Sequence, residues 1–193
     1  MAEDNYVSLI GRLEKAYYED LIKDRIIYNL NVIRKSGTSD IIPVAFTNQM
    51  PLNNEIIKIS GTIQTYIDYK LVTGKKVFTY IDNTTVYELT DNETSNNFIS
   101  VIGQVIKEPW YRTTPMGKIL VEMPVIIDGN LIHCVAWKEL AAHCNNIHKD
   151  DIVKVKGRLQ SREYTKEGKL IIAYEISSKY IEKYNESKKN WKR

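Results

Sequence analysis

A chain of 193 residues with 43% hydrophobic content can bury one ordinary core or two small ones. No apolar stretch nears the ~20 residues a membrane-crossing helix needs, no cationic leader with an apolar run opens the sequence, and two cysteines are too few for a disulfide-stapled secreted scaffold; the expectation is a soluble, cytoplasmic protein. The net charge of +3 does not by itself argue for a nucleic-acid partner, but it is unevenly spread: residues 1–91 carry 10 Lys and Arg against 12 Asp and Glu, and residues 92–193 carry 17 against 12.

Runs of β-branched and aromatic residues broken by Gly, Asn, Asp and Pro predict strands throughout. In the first half they are Tyr6 to Gly11, Ile26 to Arg34, Ile41 to Phe46, Ile56 to Tyr66 and Val77 to Ile81. The segment from Thr47 to Asn54 is too short and too rich in Asn and Pro for a stable helix. Thr90 to Asn96 is a polar run with the composition of a linker. In the second half the strands are Phe98 to Ile106, Ile119 to Ile127, Leu131 to Trp137, Ile152 to Gln160 and Leu170 to Ile176. Asp128-Gly129 is a tight hairpin signal, while Pro115-Met116-Gly117 and Glu167-Gly168 mark loops. One helix is predicted, from about Lys138 to His148, where Leu140, Ala141, Cys144 and Ile147 recur at three- and four-residue spacing.

The two halves repeat each other. Asn5-Tyr6-Val7-Ser8-Leu9-Ile10-Gly11 matches Asn97-Phe98-Ile99-Ser100-Val101-Ile102-Gly103, Val44-Ala45-Phe46 matches Val135-Ala136-Trp137, and Ile59-Ser60-Gly61 matches Val155-Lys156-Gly157, at offsets of 92, 91 and 96 residues. Five strands per repeat is the number in an OB barrel. The expected fold is all-β with one short helix, as two tandem OB-fold (five-stranded Greek-key) barrels. Residues 1–90 form a first, pared-down and acidic barrel, 91–96 a linker, 97–182 the second barrel, and 183–193 a basic C-terminal tail.

The second half carries longer signatures. Asn97 to Gly103 is followed by Lys107-Glu108-Pro109 and by the Arg-x-x-Pro-x-Gly turn Arg112 to Gly117; His133 to Lys138 leads into the helix, and Lys149 to Tyr164 ends in Gly-x-Leu-x-x-Arg-x-aromatic. Together these segments resemble the bacterial single-stranded DNA-binding protein family over nearly all of residues 97–181. The resemblance implies an OB barrel that coats unwound DNA, without sequence preference, in replication, recombination and repair, within the cytoplasm at the nucleoid. By position it puts Trp137 and Tyr164 where family members stack aromatics on bases, an interaction worth ~1–3 kcal/mol per base and indifferent to sequence. Trp110 and Tyr111 are further candidates beside the corner Pro. Lys107, Arg112, Lys118, Lys138, Lys156, Arg158 and Arg162 are candidates for neutralising phosphates, which would make affinity fall with salt. In the first half Phe46 and Tyr66 occupy the places of Trp137 and Arg162, for weak DNA contact or a role in assembly.

Two features depart from the family pattern. The usual acidic tip that recruits repair proteins is replaced by the basic run Lys188 to Arg193, so recruitment through the tail is not expected. The usual member has one barrel per chain and forms a tetramer, so two barrels per chain predict a homodimer presenting four.

Readings from other classes remain open at this point: an OB-fold adaptor of primosome type that binds proteins, or an RNA-binding OB protein. Cys134, His143, Cys144 and His148 are close enough in sequence to suggest zinc, but the paired spacing of zinc modules is absent and Cys144 fits the apolar stripe of the helix. No Gly-rich phosphate loop, catalytic triad or carboxylate pair in recognisable context occurs, so no enzyme activity and no cofactor are expected.

Overall fold

The structure is a computed structural model and describes residues 5–15, 22–34, 36–50, 55–68, 76–89, 96–166 and 168–184. The predicted linker up to residue 95, the tail from residue 185 and residues 51–54 of the Asn/Pro-rich segment lie outside the described residues. The elements are β1 (Asn5–Lys15), β2 (Ile26–Ile33), β3 (Ser39–Phe46), β4 (Ile56–Asp68), β5 (Lys76–Tyr87), β6 (Asn96–Val105), β7 (Trp110–Thr113), β8 (Ile119–Ile127), β9 (Asn130–Trp137), α1 (Lys138–His143), β10 (Ile152–Lys166) and β11 (Lys169–Lys183). Residues 47–50 are non-helical, and no helix among the described residues is long and apolar enough to cross a membrane.

Each repeat closes on itself in the same order. In the first, β1 pairs with β2, β2 with β3, β3 with β5, β5 with β4 and β4 with β1; in the second, β6, β8, β9, β11 and β10 repeat that circuit. One parallel ladder closes each barrel, through Val44↔Ile81 and through Val135↔Ser177, and Val44 and Val135 are corresponding positions of the repeat. These are two OB barrels in tandem. By contacts the chain divides into two units: Tyr6–Phe98 with Leu159–Tyr174, and the described parts of Met1–Asn5, Ile99–Arg158 and Glu175–Arg193. The far ends of β10 and β11 therefore form an arm, Leu159–Tyr174, that belongs with the first barrel's unit.

The repeated glycines mark where strands cross too closely for a side chain. A Cβ on Gly103 would lie 2.4 Å from the Ile126 carbonyl oxygen, and one on its counterpart Gly11 would lie 2.5 Å from that of Asn31. A strand can coil into a closed barrel there only if the residue has no side chain. Alternation then fills each interior, with Leu9, Leu30, Ile42, Ile59, Ile63 and Ile81 buried in one barrel and Ile99, Met123, Val125, Ile127, Ile132 and Val155 in the other.

The local signals resolve as follows. Asp128 (φ 49°) and Gly129 (φ 83°) both take the left-handed conformation that a type I′ hairpin between β8 and β9 requires. The helix is shorter than predicted: α1 ends at His143, and a 3-10 turn over Cys144–Asn146 takes its place. Asn145 and Asn146 are weak helix formers, and the Ile147 N–H bonds the Cys144 carbonyl at 2.9 Å, which closes the tighter turn. The second repeat also has a sixth strand, β7, hydrogen-bonded along the outer edge of β8.

Candidate nucleic-acid interface

β7 carries the most exposed candidate aromatic. All four of its side chains are exposed, and Trp110 reaches 60% accessibility because β7 lies on a sheet edge after Pro109. Its register places Trp110 opposite Glu122 and Arg112 opposite Leu120, while Leu120 faces Trp137 on β9. Directly opposed residues share a face of the sheet, so Arg112 and Trp137 flank Leu120 in one cross-strand row. The Arg112 guanidinium carbon lies 5.1 Å from the centre of the Trp110 ring, a cation–π arrangement, and Nη2 is 3.3 Å from a Glu122 carboxylate oxygen. The other Glu122 oxygen is 2.8 Å from His133 Nδ1, so Glu122 holds both groups. Trp137 (38% accessible) and Tyr111 (39%) leave ring surface open to solvent. Burial, and then the neighbouring Cys144, push the Tyr111 phenol above its ordinary pKa, so it stays neutral at physiological pH.

The remaining cations are spread around these rings. Lys107 and Lys118 are exposed on loops at either end of β7, and Lys118 is fixed by its backbone N–H bonding Thr114 Oγ1 at 3.1 Å. Lys138 is exposed and has φ 52°, a conformation costly for a residue with a Cβ, directly after Trp137. Arg158 is partly buried on β10. Lys156 pairs with a residue that the sequence reading missed, with its ammonium 5.7 Å from the centre of the half-exposed Tyr180 ring. A hydrogen bond to Glu182, then burial, raises the Tyr180 phenol pKa. The signal for Tyr180 was its outward parity on β11, which becomes visible only once the strand is known to run on to Lys183.

In the other unit the arm repeats the cation–aromatic pairing, with the Arg162 guanidinium 5.4 Å from the Tyr164 ring and both side chains exposed. The first barrel itself differs. Phe46 is only 6% exposed, with its ring edge-on to Tyr28 at 5.7 Å, so most of the ring is turned into the barrel. Tyr66 is partly buried against the cluster of Ile27, Ala45, Phe78 and Tyr80. Its cations meet carboxylates: Arg25 Nε lies 2.8 Å from Asp82, and Arg34 forks onto the fully buried Asp40.

Both cysteines are buried. Burial and the neighbouring Cys144 push the Cys134 thiol far up, and burial pushes Cys144 to about 11, so both are neutral thiols. Cys144 donates to the Leu140 carbonyl at 3.2 Å. Among the described residues no group of three or more His, Cys, Asp or Glu is arranged to hold a metal.

Comparison with known proteins adds to this geometry. The model of the Single-strand binding protein family matches residues 96–184. Single-stranded DNA-binding protein 1 of Staphylococcus aureus (strain COL) is 30% identical over 93 residues, which is 42% of this chain and 56% of that protein; Single-stranded DNA-binding protein 2 of strain MSSA476 matches to the same extent. The chain thus spans little more than half the length of these curated relatives. The crystal structure of the wild-type single-stranded DNA binding protein from Thermus aquaticus superimposes with a TM-score of 0.69 at 18% identity, over 94% of this chain and 93% of that one. The two share their fold along nearly the whole chain.

Proposed function

We propose that this chain belongs to the single-strand binding protein family, whose model matches residues 96–184, and that it binds single-stranded DNA without sequence preference and without catalysing a reaction. The observation that carries this reading is the β7–β9 face, where Trp110 and Trp137 are open to solvent and Arg112 sits over Trp110. An aromatic ring can stack on any base, and a guanidinium beside it can meet the adjoining phosphate. Trp110, Tyr111, Trp137, Tyr164 and Tyr180 supply the rings. Lys107, Arg112, Lys118, Lys138, Lys156, Arg158 and Arg162 supply the charge. In this reading residues 97–182 are the binding barrel, residues 1–90 serve mainly in assembly, and the protein protects unwound DNA at the nucleoid.

Fluorescence titration with oligo-dT at low and high salt tests it. Tryptophan quenching, with an affinity that falls steeply as salt rises, is expected; no binding at low salt rejects the reading. We further propose that two chains associate to display four barrels. A native mass equal to one chain rejects that assembly.

A further inference from the structure

The arm Leu159–Tyr174 carries the exposed Arg162–Tyr164 pair, and its base is tied to the first barrel by an unusual set of bonds within one unit of the fold. Asp40, at the start of β3, is fully buried. One of its carboxylate oxygens accepts the Ser161 backbone N–H at 3.0 Å, and the Arg34 guanidinium binds the carboxylate through Nε at 2.7 Å and through Nη2. Ser161 Oγ in turn accepts the Ile41 backbone N–H at 3.2 Å. The bonds are reciprocal: side chain 40 holds backbone 161, and side chain 161 holds backbone 41. Two positions before Ser161, Asn97 clamps the backbone of Leu159, with Nδ2 donating to the carbonyl at 2.7 Å and Oδ1 accepting the N–H at 2.8 Å.

We propose that Asp40 is a positioning residue for nucleic-acid binding: it touches no DNA but fixes the base of the arm so that Arg162 and Tyr164 present a preset ring and charge. The proposal rests on the reading that the arm contacts DNA. A carboxylate buried in this way is costly unless every bond to it is made, and Arg34 and Ser161 make them together. A pair of strand ends loses conformational freedom when it docks on a ligand. A mount formed in advance removes part of that cost from binding.

The test uses the full chain. Asp40→Asn keeps the size and one acceptor but removes the charge, and Ser161→Ala removes only the Oγ acceptor as a milder change. Asp40→Asn should weaken oligo-dT binding by about fivefold to tenfold in the wild-type background, less than loss of a whole stacked base. It should have no further effect in a chain that already carries Arg162→Ala and Tyr164→Ala. Native-state hydrogen exchange at residues 161–164 should quicken in both Asp40→Asn and Ser161→Ala while the cores of both barrels stay protected. Equal losses in the two backgrounds, or wild-type affinity in Asp40→Asn, would overturn the proposal. If the wild type itself does not bind oligo-dT, the binding reading fails on its own account. Unchanged exchange at residues 161–164 would separately overturn the mount.

Discussion

In the first barrel Tyr28, Phe46, Phe78 and Tyr80 turn inward, and Arg25 and Arg34 are spent on Asp82 and Asp40. In the second barrel Trp110 and Trp137 stand out from one β7–β9 face, Tyr111 is exposed on the opposite face of β7, and Arg112 lies over a ring rather than in a buried ion pair. The strand circuit is the same in both, and so are the closing glycines. The difference lies in what surrounds equivalent positions. Phe46 and Trp137 both follow a Val-Ala pair at the end of the third strand, yet residues 42–46 are all buried while Trp137 passes into a helix and stays accessible. Met50 closes over that side of the first barrel, its N–H bonding the Tyr28 hydroxyl at 3.1 Å. One scaffold can thus use its aromatics as core or as platform, depending on the segment that follows the third strand.

The largest expected effect tests the inward half of this comparison. Phe46→Ala should lower stability by about 3 kcal/mol, as for other buried Phe truncations, and leave oligo-dT affinity unchanged in the folded protein; denaturant titration and binding measured side by side read both. Next, Trp137→Ala should weaken oligo-dT binding by about tenfold to a hundredfold with only a small change in stability, because a half-exposed ring contributes stacking rather than core. Arg112→Ala should reduce the slope of log affinity against log salt by about 1, the mark of one phosphate contact; an unchanged slope would mean Arg112 serves only Trp110 and Glu122.

The smallest effect separates the barrels in acid. Burial pushes the Asp151 carboxyl up, but this is outweighed by Lys183 (2.8 Å), the His148 N–H (2.7 Å) and the charges beside it, so its pKa lies below the ordinary 3.8. A depressed carboxylate stabilises the fold at all pH values above 3.8 and loses that contribution as pH falls through its folded value. Asp151→Asn should therefore cost about 0.5 kcal/mol at neutral pH, as expected of a partly exposed pair, and the cost should disappear as pH falls through the depressed folded value, read by denaturant titration across the acid range.

The fold was readable because its constraints are local. Gly11 and Gly103 stand at strand crossings that admit no Cβ, Asp128-Gly129 encodes a turn with two positive φ angles, and β-branched and aromatic runs between Gly, Asn, Asp and Pro breaks located the strands. β7 was not readable, because four exposed residues after a proline carry no alternation between core and solvent. The orientation of Phe46 depended on contacts with Tyr28, 18 residues away in sequence, and the Lys156–Tyr180 pair depended on the register of β10 and β11. Arg112, Trp110, Arg162 and Tyr164 could be nominated by motif, but their cation–π pairing follows from strand geometry alone.

The central claim, that the exposed rings of the second barrel make the nucleic-acid contact, is met most directly by titrating oligo-dT into the wild type and into Trp110→Ala/Trp137→Ala at fixed low salt, following binding by anisotropy of a labelled strand. The account predicts a loss of at least about a hundredfold with the native fold retained, two stacked bases having been removed. Wild-type affinity in the folded double variant would contradict it.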